Sequence, residues 1–306
     1  MNKLKLISDF DGIWTNQNIE AEYVWDHIVN TTSGLTGFGH KKVQKILEDC
    51  KLVMNKNPHL YGWFNTGGIA AYYNEDPFGD NNAIFDFINK SDDSNADLKK
   101  LKEDVLNKFS SLADFSQNCF ATSTTKFKED GKLNPVDTMR EVVNKLSLEN
   151  VEIIVVSNSQ TEKIKYLFSK ADIYVSDENS DTRAVVHAIG DARKYVINAD
   201  YKELPDYLEI NSHYKIPLRR NNYHKILLKE KPDYVIGDVF SLDIALPLHL
   251  RMNDKSFSNL KVIQRVQPYT PDWVKEYLSK DKFKGMAFMV NSVDEVPEVI
   301  SKSFNN

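Results

Sequence analysis

Three short apolar runs, far apart along the chain, each stop abruptly at acidic, hydroxyl or amide residues. Leu4-Lys5-Leu6-Ile7-Ser8 leads into Asp9-Phe10-Asp11-Gly12. Val151-Glu152-Ile153-Ile154-Val155-Val156 stops at Ser157-Asn158-Ser159. Tyr234-Val235-Ile236-Gly237 stops at Asp238, and Asp243 follows within the next segment. Short β-branched runs bounded in this way read as buried strands. Helical patterns separate and follow them, and alternating strands and helices imply a mainly parallel sheet with helices on both faces. In an open parallel α/β sheet the carboxyl ends of the strands gather in one crevice, where ligands bind. Residues distant in sequence are therefore expected to meet there.

The rest of the second half fits this alternation. The spacing predicts helices over 160–170, near 220–230 and over 241–250, and strands near 172–176 and 194–198, over 260–266 and over 287–290. Asn134 before Pro135 predicts a helix over 135–147, because the side chain can cap and proline suits the first helical position. Thr270-Pro271-Asp272-Trp273 opens another by the same logic, and Ser292 with Glu295 predicts a capping box for the last helix. Residues 16–130 are different. Ile19, Tyr23, Val24, Trp25 and Ile28 are close to helical spacing, as are Val43, Ile46, Leu47 and Val53, and helical patterns recur at 81–90 and 95–113. The aromatic segment 60–68 reads as a loop. The stretch is expected to be mostly helical with no strong strand, and the charged segment 128–132 to be a linker. The expected organisation is an α/β core of residues 1–15 and 131–306 interrupted by a helical insert, 16–130.

Composition narrows the class. A formal charge of −5 over 306 residues gives no basic footprint for nucleic acid or an anionic membrane surface. No run approaches the ~20 apolar residues needed to span a membrane, and the charged start, Met1-Asn2-Lys3-Leu4-Lys5, does not read as a signal peptide. The two cysteines, Cys50 and Cys119, lack metal-type spacing and are expected to be reduced core residues of a cytoplasmic protein.

The chemistry lies at the strand ends. Two carboxylates one residue apart are costly unless a cation compensates them. In a strand, residues i and i+2 point the same way, so Asp9 and Asp11 are expected to share a direction. They can converge on one cation, or one can attack a substrate while the other moves protons. Together the motifs resemble the haloacid dehalogenase superfamily of hydrolases. Asp9-Phe10-Asp11-Gly12 with Thr15 is similar to its first motif, Ser157 after Val155-Val156 to its second, and Gly237-Asp238 with Asp243 to its fourth. The likeness covers about residues 1–15 and 130–306. The insert stands where that family carries a type 1 cap. One departure is Ile13-Trp14, where the family has smaller residues.

The resemblance implies a Rossmann-like α/β core and a Mg²⁺-dependent phosphohydrolase acting on a small phosphorylated metabolite. Asp9 would be the nucleophile that forms an aspartyl-phosphate, and Asp11 the general acid. Mg²⁺, which prefers oxygen ligands, would be held by Asp9, Asp238 and the Asp11 backbone carbonyl, with Asp243 as a ligand or an outer acceptor. Ser157 and Asn158 would hold phosphate oxygens. The family also expects a basic residue between the second and fourth motifs. Arg219 and Arg220 are the leading candidates, since a forked guanidinium suits phosphate. Lys163, Lys194 and Lys215 rank below them. Trp25, Tyr61, Trp63, Tyr72, Tyr73, Glu75 and Asp76 are candidates to line the insert's substrate-facing side or, alternatively, to form its core. A phosphotransferase or mutase sharing the aspartyl-phosphate, and a non-catalytic phospholigand-binding protein, are the alternative functions.

Overall fold

The computed structural model describes residues 3–65, 68–92, 94–178 and 181–304. Strand β1 (Leu4–Ser8) is followed by helices α1 (Gln17–Thr36) and α2 (His40–Met54) and by strands β2 (Gly62–Asn65) and β3 (Gly68–Tyr72). Next come helices α3 (Gly79–Lys90), α4 (Ala96–Leu106), α5 (Leu112–Glu129) and α6 (Met139–Leu148). Strand β4 (Val151–Val156), helix α7 (Thr161–Ser169) and strands β5 (Val175–Ser176), β6 (Val186–Ile189), β7 (Tyr207–Glu209) and β8 (Lys215–Pro217) follow. The chain ends with α8 (Asn221–Glu230), β9 (Tyr234–Gly237), a π-helical turn (Phe240–Ile244), α9 (Ala245–Asn253), β10 (Lys261–Arg265), α10 (Asp272–Leu278), β11 (Ala287–Val290) and α11 (Val296–Phe304). Two compact units result: a core of residues 1–16, 65–71 and 134–306, and a helical unit of residues 17–64 and 72–133.

In the core unit, seven strands form one sheet in the order β11-β10-β9-β1-β4-β6-β5, paired in parallel throughout. This is the expected α/β architecture. The inner strands β4 and β9 are almost wholly buried and β1 is buried over Leu6–Ser8, which is why they read as near-continuous apolar runs. Register decides what the strand ends can share. Ser8 pairs with Val155 on one side and Ile236 on the other, so Asp9, Ser157 and Asp238 leave the sheet at nearly the same level.

Two expectations are corrected here. Residues 194–198 form no strand; the strand of that region is β6, and the run at 194–198 is irregular. The helix expected from Pro135 begins only at Met139, because Pro135 bridges to Thr15 and the Val136 amide donates to the Trp14 carbonyl at 3.0 Å. The Ser292–Glu295 capping box is present.

The helical unit packs α1–α5 around Val24, Ile28, Leu47, Phe85, Leu101 and Phe115, with the Phe85 and Phe115 rings edge to face at 5.0 Å. The pattern at 95–113 is two helices rather than one. Asn95 caps α4 by accepting from the Asp97 and Leu98 amides, and Ser111 caps α5 by accepting from the Asp114 amide. Each cap satisfies amides that a helix start leaves without partners. The aromatic segment read as a loop contains β2 and the start of β3; Thr66 and Gly67 lie outside the described residues. No helix among the described residues is long and apolar enough to cross a membrane.

Candidate active site

β1 carries Asp9 to the carboxyl edge of the sheet while its backbone stays in the ladder, the Asp9 amide donating to the Ile236 carbonyl at 2.9 Å. The chain then turns sharply. Gly12 has φ 72, a left-handed conformation that a Cβ disfavours, and its amide donates to Thr15 Oγ1 at 3.1 Å. Ile13 and Trp14, the departure from the family pattern, are fully buried. Trp14 Nε1 donates to Ser8 Oγ at 2.9 Å and its ring lies 5.5 Å from that of Phe168. The bulky pair therefore anchors the turn.

β9 and the π-helical turn supply two more carboxylates, both buried. Asp243 Oδ2 accepts from the Val239 amide at 3.1 Å. A Cβ at Gly237 would collide with the Asp243 side chain, so only glycine lets the turn fold back this closely on the strand end. Ligand oxygens of Asp9, Asp238 and Asp243 lie within 4.8 Å of one another. Into this group reaches Lys194, from the segment after β6. Its Nζ lies 2.7 Å from Asp9 Oδ1 and 2.5 Å from Asp243 Oδ1, and its side chain is 2% exposed. The Lys194 backbone is pinned as well. Its amide donates to Asn158 Oδ1 at 2.7 Å, and its carbonyl accepts from Arg220 Nη1 at 2.7 Å. The Tyr223 hydroxyl donates to the Asp243 carbonyl at 3.0 Å.

Burial pushes the Asp9 carboxyl up to about 7; the Asp243 charge adds to this and Lys194 opposes it. For Lys194 burial alone would lower the pKa, but Asp243 and Asp9 outweigh it and hold the ammonium above its ordinary range. Three carboxylates crowd together here, with Lys194 between Asp9 and Asp243 and the Arg265 guanidinium near Asp238, and a further cation would ease the cost of burying them. A hard, oxygen-only donor set of this size suits Mg²⁺. Asp9 and Asp238 are the residues best placed to hold it. Both Asp243 oxygens already accept bonds, Oδ1 from Lys194 and Oδ2 from the Val239 amide.

The other expected site residues fall as follows. Asp11 is directed to α7 and the segment before it: Oδ2 accepts from Ser159 Oγ at 2.7 Å, and Oδ1 lies 3.1 Å from Lys163 Nζ. Its carboxylate is not one of the clustered three. Ser157 is buried at the end of β4, its Oγ accepting from the Ser159 amide at 3.0 Å. The Asn158 side chain holds the Lys194 backbone. The two arginines correct the sequence expectation. Arg220 is buried, and its guanidinium donates to the carbonyls of Pro217, Lys194 and Ala70 at 3.0, 2.7 and 2.6 Å. Arg219 donates to the Leu204 and Ala199 carbonyls and pairs with Asp206. Both forks are committed to backbone or to Asp206, and Lys194 is the cation among the carboxylates. Lys215 pairs with Glu209 at an exposed position.

Among the insert's candidate residues, Trp25, Tyr61, Tyr73, Glu75 and Asp76 have contacts within the helical unit. Tyr73 belongs to the helical core, and Trp25 and Tyr61 pack against it. Glu75 Oε2 accepts from the Tyr72 amide at 2.8 Å. Asp76 Oδ1 accepts from Gln17 Nε2 at 3.0 Å and from the Phe78 amide at 2.9 Å. Sequence reasoning ranked Lys194 below the arginines and also read a strand near 194–198. The apolar run Val185-Val186-His187-Ala188-Ile189 was the signal that would have put Lys194 in a loop just past a strand end.

Neither a protein-family model nor a curated protein matches the chain. Among solved structures, the chain is similar to a 2-haloacid dehalogenase from Pseudomonas syringae pv. Tomato DC3000, with 12% identity over 98% of this chain and 99% of that one and a TM-score of 0.42. It is similar to a haloacid dehalogenase-like family hydrolase from Xanthomonas campestris, with 8% identity, 98% and 91% coverage and a TM-score of 0.45. A third is CbbY from Rhodobacter sphaeroides in complex with phosphate, at 11% identity, 96% coverage of each chain and a TM-score of 0.38.

Proposed function

We propose that this chain is a Mg²⁺-dependent phosphohydrolase of the haloacid dehalogenase type, acting on a small phosphomonoester through an aspartyl-phosphate. The observation that carries the reading is Asp9 at the end of β1, ion-paired to buried Lys194 and clustered with Asp238 and Asp243. A phosphoryl group is anionic, so a carboxylate can attack it only where positive charge cancels the repulsion. Lys194 supplies one such charge at the attacking oxygen. A bound Mg²⁺ would supply the rest by polarising phosphoryl oxygen, held by Asp9 and Asp238. Asp9 attacks phosphorus, and the ester oxygen departs. Asp11 delivers a proton to that oxygen and then takes one from the water that opens the aspartyl-phosphate. General acid–base help of this kind contributes roughly 10²–10⁴-fold. Asp243 orients Lys194. Ser157 and the amides beyond it are assigned to phosphate oxygens, and the helical insert, from its place in the chain after Thr15, to choosing the substrate.

The test is phosphate release from a panel of phosphorylated metabolites with Mg²⁺. Turnover should appear for a subset, vanish with EDTA, return with Mg²⁺ and be abolished by Asp9→Asn. Chelator-resistant turnover, or an active Asp9→Asn protein, would refute the reading.

A further inference from the structure

The end of β10 and the segment after it touch both the turn after Asp11 and Asp238. Gln264, fully buried, donates from Nε2 to the Asp238 carbonyl at 2.6 Å. Arg265 Nη1 donates to the carbonyls of Gly12 and Ile13, and Gln267 Nε2 donates to the Gly12 carbonyl at 2.7 Å. Tyr269 then places its hydroxyl 2.5 Å from Asp238 Oδ2. The loop itself is closed by the Gln267 amide donating to Thr270 Oγ1 at 2.8 Å and to it the Thr270 amide returns a bond on the Gln267 carbonyl at 2.9 Å. One short stretch thus fixes the turn after Asp11, the Asp238 backbone and one oxygen of the Asp238 carboxylate.

We infer that Tyr269 is a positioning residue for the cation site. Its phenol donates to Asp238 Oδ2 and so sets the rotation of that carboxylate toward the oxygens of Asp9 and Asp243. A hydroxyl donating to a carboxylate makes a short, charge-assisted bond, as the 2.5 Å separation shows. Partners that orient a ligating carboxylate typically change metal affinity by roughly 10–100-fold when removed. Octahedral Mg²⁺ tolerates little misplacement of its ligands. The inference rests on the reading of Asp238 as a metal ligand, and the experiment separates the two.

Mn²⁺ is titrated into metal-free protein without substrate, and free Mn²⁺ is followed by electron paramagnetic resonance. The proteins are wild type, Asp238→Asn and Tyr269→Phe, with the folded state of each confirmed by its thermal transition. The expected result is binding by wild type, loss of it in Asp238→Asn, and about tenfold weaker binding in Tyr269→Phe. Tyr269→Leu, a second variant without the hydroxyl, should be weakened alike. If Asp238→Asn loses Mn²⁺ while both Tyr269 variants bind as wild type does, the positioning role is wrong and the metal reading stands. If wild type takes up no Mn²⁺, or Asp238→Asn binds unchanged, the metal reading itself fails and the role of Tyr269 falls with it.

Discussion

Lys194 bridges two carboxylates of the cluster, and its removal has consequences for folding. Its Nζ lies within 2.7 Å of Asp9 and 2.5 Å of Asp243, and both it and Asp243 are almost wholly buried. Deleting one member of a buried ion pair leaves charge uncompensated and costs about 3–5 kcal/mol. Lys194→Met should therefore lose about that much unfolding free energy in urea, measured without metal. Adding Asp243→Asn to it should recover part of the loss, because one unpaired charge is removed; groups in contact are not additive. An additive double variant would show that the pairing is not what holds these side chains. Mg²⁺ should stabilise wild type, since a ligand that binds only the folded state shifts the equilibrium toward it.

Elements were legible in the sequence where periodicity was long or the strand end chemically marked. β1, β4 and β9 stand out as apolar runs broken only by Lys5 and Glu152 near their starts, and each ends in residues too polar to continue inward. β6 is harder. It has four residues with His187 in the middle, and only in the fold does that imidazole find Glu152 on β4 at 3.2 Å. Arg219 and Arg220 could not be told from phosphate ligands, because the carbonyls they bind are set by the irregular chain between β6 and α8. Helix-to-helix ties are equally hidden until packing is known. Asp80, in the first turn of α3, meets Lys51 of α2 at 3.2 Å. Burial raises its carboxyl to about 6 from an ordinary 3.8, with Lys51 pulling the other way. The folded state thus holds this proton more tightly than the unfolded state. The stability it contributes is complete below pH 3.8 and is lost as pH rises through about 6. Asp80→Asn should abolish that decline, so the variant should gain on wild type between about pH 4 and 6 in paired urea melts. Parallel pH profiles would show that Asp80 titrates as an ordinary carboxylate.

At the scale of the molecule, the chain does not leave the core once and return once. Residues 65–71 count with the core although helices of the other unit precede and follow them. Arg220 is central to this: its guanidinium gathers carbonyls from Pro217, from Lys194 and from Ala70 of that segment. Each buried carbonyl left without its donor costs about 1–3 kcal/mol. A lysine offers no planar fork. Arg220→Lys should therefore destabilise by at least about 2 kcal/mol and lower turnover through Lys194, whereas Arg219→Lys, at a more open position, should do much less. Equal effects in urea melts would show that the three-way junction contributes nothing special.

The same junction bears on modularity. An insert that enters and leaves a core through neighbouring points can be cut out like a cassette and the ends rejoined, and such a protein can trade inserts by recombination. Here the excision would take Ala70 with it and strand a buried guanidinium beside the backbone of Lys194. A minimal catalytic core made by replacing residues 17–133 with a short linker should consequently misfold or lose its lysine's placement, while the same deletion supplemented with a peptide spanning 62–73 has the missing acceptor restored. Any scheme for replacing the helical unit must therefore leave residues 65–71 with the host.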